Sequence, residues 1–597
     1  MRQRSRLVPF VPIVAAVLLL PAPSPALGAK PLDAVETFDF SDNMIPLGHS
    51  ERAVPLTGPG SGVFNSDLAF WGNHAIQGTY EGFRIIDISE PGEPVEVANF
   101  ADCVAGATTG NQGDVIVWQD IVVRSWNSPA PGGGAVCGGV AVPPFQEGLH
   151  VFDISDPTNP QALTFVPTLC GSHTATGVPD AANNRLLVYN SPSSGSPGCR
   201  GIDIVEVPLD DPAAASYLRF VPSGDPSTPM VTIDPPSAAA GNYLASGAAF
   251  GPAPLQAGTA GDVVLVDDGT GDPTLGCQPL VGFPAGAIAL IDRGVCAFTV
   301  KVSNAQAAGA VAVIVANNAP GAPITMGGND PSIMIPAVMV SLAAGAEIRA
   351  GLPAAGSVAG PAPSDDPDRS CHDTGVILGD VKLAACAGGD GFTVWSLDPA
   401  DGGSLDDPQV LHSESVDGVS VGHSAAFTWD GEVLVFGHEP GGGSQPRCLE
   451  SSAEVDKTLF FFDPRSGSEL GRWVMERPQT GTENCTLHNY NVVPTDKGYV
   501  LVSGNYQAGV LVLDFTDPAD AHQVAFADPA PLSETQLFLG GDWSTYWYDG
   551  FVYESDIRRG LIVWKLADSV VAGARKLGHV NPQTQEFSFP LKKAGGN

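Results

Sequence analysis

A mainly β fold, a seven-bladed β-propeller with an inserted α/β domain, follows from three features of the 597-residue sequence. An apolar stretch recurs seven times, and in four of the copies an aspartate and a turn close it. The copies are evenly spaced except at one place, where a domain's worth of sequence intervenes. With Gly 71 and Pro 53, the chain is rich in turns and poor in helical periodicity.

The clearest copy is 509–518, in which Gly509 leads into Val510-Leu511-Val512-Leu513, Asp514 follows, and Asp517-Pro518 forces a turn. Alternate residues are apolar on both faces, so this strand must be covered on both sides. The other copies are 82–91, 148–157, 201–207, 391–396, 458–464 and 560–565. Consecutive copies lie roughly fifty to sixty residues apart, a little more than a typical four-stranded propeller repeat.

In chain order, residues 1–29 read as a secretory signal peptide: Arg2, Arg4 and Arg6 precede the apolar run 11–20, and Ala26-Leu27-Gly28 supplies small residues for cleavage. The run is short for a membrane span, so the mature chain is expected to be secreted and extracellular, with no membrane attachment after cleavage. Residues 30–227 hold a closing strand and blades 1–3. The closing strand is Met44-Ile45-Pro46-Leu47-Gly48-His49, an outer strand without inner partners, expected to pair with the last blade and remove the free edges of the ring. Residues 228–358 form the insertion, 359–571 blades 4–7, and 572–597 a C-terminal tail. Within blade 5, His423–Trp429 turns at Asp430-Gly431 into Glu432–Phe436. Blade 7 repeats this hairpin with Asp549-Gly550 between Ser544–Tyr548 and Phe551–Tyr553.

The glycine-led apolar strands ending in Asp, with turns such as Ser155-Asp156-Pro157, resemble LVIVD repeats over roughly 44–226 and 363–570. That resemblance implies a β-propeller of the kind found in secreted bacterial proteins of mostly unassigned function. The insertion resembles the protease-associated (PA) domain. Its strand Ile288–Asp292 runs into Arg293-Gly294-Val295-Cys296-Ala297-Phe298, then come an amphipathic segment 301–310, an apolar strand 311–316 and Ile335-Pro336. The likeness implies a non-catalytic module that caps a site or contacts polypeptide, and it favours a disulfide between Cys277 and Cys296.

The formal charge of -37 excludes nucleic acid and anionic membranes as partners, since both require a basic surface that replaces counterions. Ten cysteines in a secreted chain point to disulfides, and no Cys-x-x-Cys spacing supports a zinc ribbon. Mapped on the blades, Cys103, Cys170, Cys371 and Cys485 fall in connections between blades. Cys137, Cys199 and Cys448 lie between second and third strands, and Cys386 ends a second strand. All occupy one face of the disc, where Cys103–Cys137, Cys170–Cys199, Cys371–Cys386 and Cys448–Cys485 can pair, although spacing alone leaves the connectivity open.

Aligning the inner strands on their turns brings His423 into register with Asp542, and His173, His372 and His488 begin the corresponding strands of blades 3, 4 and 6. Blades 1 and 2 place Asn65 and Gln112 there, with Asp67 and Asp114 two residues on and on the same strand face. Four histidines and several carboxylates therefore face the channel at one mouth, with the insertion expected over or beside it. Converging imidazoles suit a transition metal on the axis, with His173, His372, His423, His488 and Asp542 as candidate ligands. A polar lining for a water-filled channel explains the same residues without a metal. The acidic loops 365–368 and 398–407 offer hard oxygens for calcium but lack the spacing of a calcium hand. Gly422-His423-Ser424-Ala425-Ala426 falls short of a nucleophile elbow, and the acceptor Asn484-Cys485-Thr486 is poor for glycosylation because Cys485 is expected in a disulfide. Two functions remain. One is a secreted binding or scaffold protein that holds a polypeptide or glycan through the PA domain and the loop-rich face. The other is a metal-dependent enzyme of the oxidoreductase kind, with the insertion as a lid.

Overall fold

The computed structural model describes residues 37–58, 62–104, 112–192, 199–223, 228–319, 323–361 and 370–592. The segment 1–29, expected to be a signal peptide, and the acidic run 365–368 lie outside the described residues. Seven antiparallel units of four strands make the propeller. Six are separate sheets, and the third forms one end of an eleven-stranded sheet that continues into the insertion. The inner strands are Asn65–Trp71, Val115–Trp118, Ala175–Asp180, Asp373–Ile377, Gly422–Phe427, Asn489–Val492 and Asp542–Tyr548.

The repeated apolar stretch is the third strand of every blade, and its two faces feed different cores. Leu511 and Leu513 enter one inter-blade cluster, while Val510 and Val512 enter another. Leu561 and Val563 divide from Ile562 and Trp564 in the same way. A strand that packs against a neighbour on each side cannot carry a polar face, which is why the run is unbroken. The closing aspartate fixes the turn into the fourth strand: Asp87, Asp153 and Asp514 Oδ1 accept the amides of Ser89, Ser155 and Thr516 at 2.8, 2.8 and 2.9 Å. In each blade the pairing of this strand with the outer one carries a bulge, for example between Ile85 and Ile86 or Val512 and Leu513. Such bulges add the local twist that a blade needs.

Met44–Glu51 pairs antiparallel with Gly560–Leu566, so the first long strand of the chain completes the last blade. The tail does more than trail away. His579–Val580 pairs with the end of the blade 1 inner strand, and Thr584–Gln585 pairs parallel with that of blade 4. Between them, Asn581 bonds the amide and carbonyl of Val117 at 2.7 Å each. Gln585 donates to Phe427 O at 2.6 Å, and Phe589 stacks on Trp429 at 5.6 Å. The tail thus crosses the ends of the inner strands and floors the channel.

In the insertion, four parallel-neighboured strands, Thr259–Leu265, Ile288–Asp292, Ala312–Ala316 and Ala337–Val340, carry helix α1 (Phe298–Ala307) and helix α2 (Leu342–Ala350). Its first and last strands lie side by side, with Met230 opposite Ala359, so the insertion leaves and re-enters the ring at one point. It meets blade 3 through Phe220 opposite Asn242, and Met230 and Leu244 pack on Cys170, Cys199 and Phe220. All five expected disulfides form: Cys103–Cys137, Cys170–Cys199, Cys371–Cys386 and Cys448–Cys485 in the propeller, and Cys277–Cys296 inside the insertion. Among the described residues no helix is long and apolar enough to cross a membrane.

One core residue sets an acid limit. His150 is fully buried among Trp126, Phe152 and Phe165 with neither ring nitrogen bonded. Burial, reinforced by Arg124 opposite it, pushes its imidazole down to about 3. The unfolded chain takes up this proton first, so the contribution is full above pH 6.5 and is lost as pH falls toward about 3, at about 1.4 kcal/mol per unit. His150→Phe is expected to flatten the dependence of urea stability between pH 7 and pH 4.5; an unchanged slope would place the acid limit elsewhere.

Candidate functional site

Each inner strand starts at the disulfide-bearing face, so its first side chains line the mouth of the channel. A cavity of about 220 Å³ lies there. It is lined by His173, His372, His423 and His488, by Asp67, Asp114, Asp373 and Glu439, and by Gln112, Tyr80, Tyr506 and Trp543. The imidazoles follow one another around the wall, with ring centres 4.3 Å apart for His173 and His372, 4.0 Å for His372 and His423, and 4.4 Å for His423 and His488. Tyr506 continues the row 4.4 Å beyond His488. Gln583, from the tail, closes the cavity from below and donates to Asp373 Oδ2 at 2.6 Å.

Neighbours fix which nitrogen each ring presents. His488 Nδ1 lies 2.6 Å from Trp543 O, a carbonyl that can only accept, so Nδ1 carries the proton and Nε2 keeps its lone pair. His423 Nδ1 lies 2.6 Å from Ser424 Oγ, whose own proton goes to His488 O at 2.8 Å or Asn489 Oδ1 at 2.9 Å. His423 therefore also turns a bare Nε2 to the cavity. Both Nε2 atoms approach Glu439, at 3.6 Å each and on different carboxylate oxygens. Tyr506 donates to Glu439 Oε1 at 2.6 Å.

Burial governs the charges. It pushes His173 down to about 4 and His488 to about 3, and lowers His372 and His423 well below the ordinary imidazole value, with the neighbouring rings adding to the effect. It raises Glu439 to about 7 against the Tyr506 hydrogen bond, and Asp373 to about 8 with help from Asp67. Asp114 rises well above its ordinary value through burial and the adjacent Asp67, with which it shares a hydrogen bond. Among the described residues the wall holds four carboxyl groups and four neutral imidazoles and no Lys or Arg.

Of the ligands expected from sequence, the structure brings the four histidines together and leaves Asp542 out. A bulge between Asp542 and Ser544 turns the Asp542 side chain against Gly504 of blade 6, where it accepts from Thr545, and the next residue, Trp543, faces the cavity. Asn65 is likewise turned away, donating to Asp556 O at 2.9 Å, whereas Gln112, Asp67 and Asp114 line the wall. Among the described residues, none of those lining the cavity comes from 228–358, and the domain continues the sheet of blade 3 from its outer strand. In the loop 398–407, Asp398 caps Ala400, and Asp406 and Asp407 pair with Arg185 and Arg219 at 3.0 and 3.1 Å, so these oxygens are engaged by the protein itself. Sequence reasoning missed Glu439, the residue after the second strand of blade 5. Its signal was Glu439 directly following His438 and preceding Gly441-Gly442-Gly443, a turn that holds a side chain at the mouth.

Residues 237–348 match the PA domain family, and residues 66–102 and 140–168 match the LVIVD repeat. No curated protein matches the chain. Among solved structures, a Lactobacillus plantarum protein is 11% identical over 87% of this chain and 97% of its own, with a TM-score of 0.38. The C-terminal WD40 domain of Sif2 is 7% identical over 87% and 99%, at 0.36. BSAP, a zinc aminopeptidase from Bacillus subtilis, is 21% identical over 27% of this chain, at 0.19, and the chain spans 33% of its length.

Proposed function

We propose that the chain is a secreted binding protein that holds a polypeptide or glycan partner through the PA domain and the adjoining propeller rim. The observation that carries this reading is a cleft of about 400 Å³, mostly apolar, between helix α2 and the outer edges of blades 2 and 3. Leu342 and Ala346 form one wall, and Pro167, Leu169 and Phe220 the other. Arg219 and Glu347 add one charge of each sign, which suits the alternating apolar and polar character of an extended peptide. The five disulfides and the signal-like N-terminus support export.

Because Met230 and Ala359 are paired neighbours, residues 228–361 can be replaced by a short linker without stretching the ring. The deleted protein is expected to keep cooperative β-sheet unfolding and to lose binding on peptide and glycan arrays, and Leu342→Glu in the full chain should lose it too. Binding unchanged in both variants would overturn the reading.

The channel mouth favours a second reading, a metal-dependent enzyme, because four imidazoles and a buried carboxylate converge on a closed-ended cavity.

A further inference from the structure

We propose that His372, His423 and Glu439 bind one divalent first-row transition ion of the kind that prefers imidazole, such as copper or zinc, with His488 next to Glu439 at its open side. The proposal rests on the second reading and supplies its ion.

Three observations carry it. The Nε2 atoms of His423 and His488 stand 3.6 Å from the two oxygens of Glu439. That is too long for a hydrogen bond, but two donors sharing one tetrahedral ion at about 2.1 Å are about 3.4 Å apart. His372, His423 and Glu439 offer ligand atoms that all fall within 4.8 Å of one another. Second, the outer nitrogens and oxygens are already engaged. His488 is held by Trp543 O, His423 by Ser424 Oγ and Glu439 by Tyr506, an arrangement that orients ligands and fixes their tautomers. His372 Nδ1, in contrast, is buried and makes no hydrogen bond of ordinary geometry. Third, Glu439 is buried with imidazoles around it and, among the described residues, no Lys or Arg on the cavity wall. Buried carboxylates are usually paired with a cation or bound to a metal.

The donor set selects the ion. Two imidazoles and a carboxylate, with a third imidazole close by, suit zinc, copper, iron or nickel, whereas calcium needs six or more oxygens. The wall of the cavity supplies nitrogen where calcium would need oxygen.

The test uses the full mature protein, stripped with a chelator and dialysed separately against copper(II), zinc(II) and calcium(II) before gel filtration and elemental analysis. One equivalent of copper or zinc per chain is expected, and no retained calcium. Glu439→Gln and His423→Ala should each weaken that binding roughly a hundredfold or more. The exposed-site control His522→Ala should bind as the parent does. Glu439→Gln keeps the side-chain shape and guards against the case in which His423→Ala fails to fold. Electron paramagnetic resonance of the copper form should show coupling to at least two nitrogens. Substoichiometric metal in the parent, or full retention by both site variants, would overturn the proposal. Stoichiometric metal in a protein with no turnover in oxidase and hydrolase screens would leave the site standing and remove the enzyme reading.

Discussion

Truncation after Gly573 is expected to lower the melting temperature by roughly 10 °C, because it removes the floor of the propeller. The lost segment contributes buried Leu577, Val580 and Phe589, and Phe589 is sandwiched between the Trp429 ring and the Arg575 guanidinium. Deleting a buried phenylalanine side chain alone costs about 3–5 kcal/mol. The truncation also breaks hydrogen bonds to Val117 in blade 2, Gly177 in blade 3 and Phe427 in blade 5, each worth roughly 1 kcal/mol. With the burial of Leu577 and Val580 the total is on the order of 10 kcal/mol, which for a chain of this size shifts melting by about the stated amount. The tail also stacks His579 on Trp71 at 4.3 Å, so tryptophan fluorescence should change. Asp373 would lose the Gln583 amide, and the cavity would open to solvent from below. A truncated protein that melts like the parent would show that the tail does not lock the blades.

Replacing Cys448 and Cys485 together by alanine is expected to be the second large effect. This disulfide joins the long loop that carries Glu439 to the connection that leads into His488. It closes 37 residues, and the chain-entropy relation gives about 4 kcal/mol for a loop of that size. Both sulfurs are buried, so the cross-link is also part of a packed core. Chemical denaturation should show the loss, and metal binding should weaken with it, because the loop that carries Glu439 would no longer be held in place. Equal stability of parent and double variant would mean that the loop is already ordered by its other contacts.

The propeller was legible because its signal is repeated. Seven apolar strands, four of them closed by an aspartate, announce a stack of sheets covered on both faces, and the orphan strand at Met44 announces how the ring closes. The histidine cluster was legible for the same reason: strand starts fall at one mouth, and four of them carry His. What escaped has a common cause, which is that it does not follow strand register. Asp542 shares the register of His423, but its bulge turns it toward Gly504. Glu439 lies one residue past a strand end, where periodicity says nothing about direction. The tail contacts the blades mainly through Asn581, Thr584 and Gln585, whose amides and hydroxyl bond backbone groups, so no apolar pattern marks it. The place of the insertion relative to the mouth depends on a single strand contact, Phe220 with Asn242, that neither sequence segment advertises.

The ion proposed at the channel mouth lies between His372, His423 and Glu439. Crystals of the metal-loaded mature protein, measured on both sides of the absorption edge of the metal, test that placement most directly. One dominant anomalous peak is expected at about 2.0–2.2 Å from nitrogens of His372 and His423 and from a Glu439 oxygen. A cavity without such a peak, or a dominant peak in the acidic loop 398–407, would contradict it.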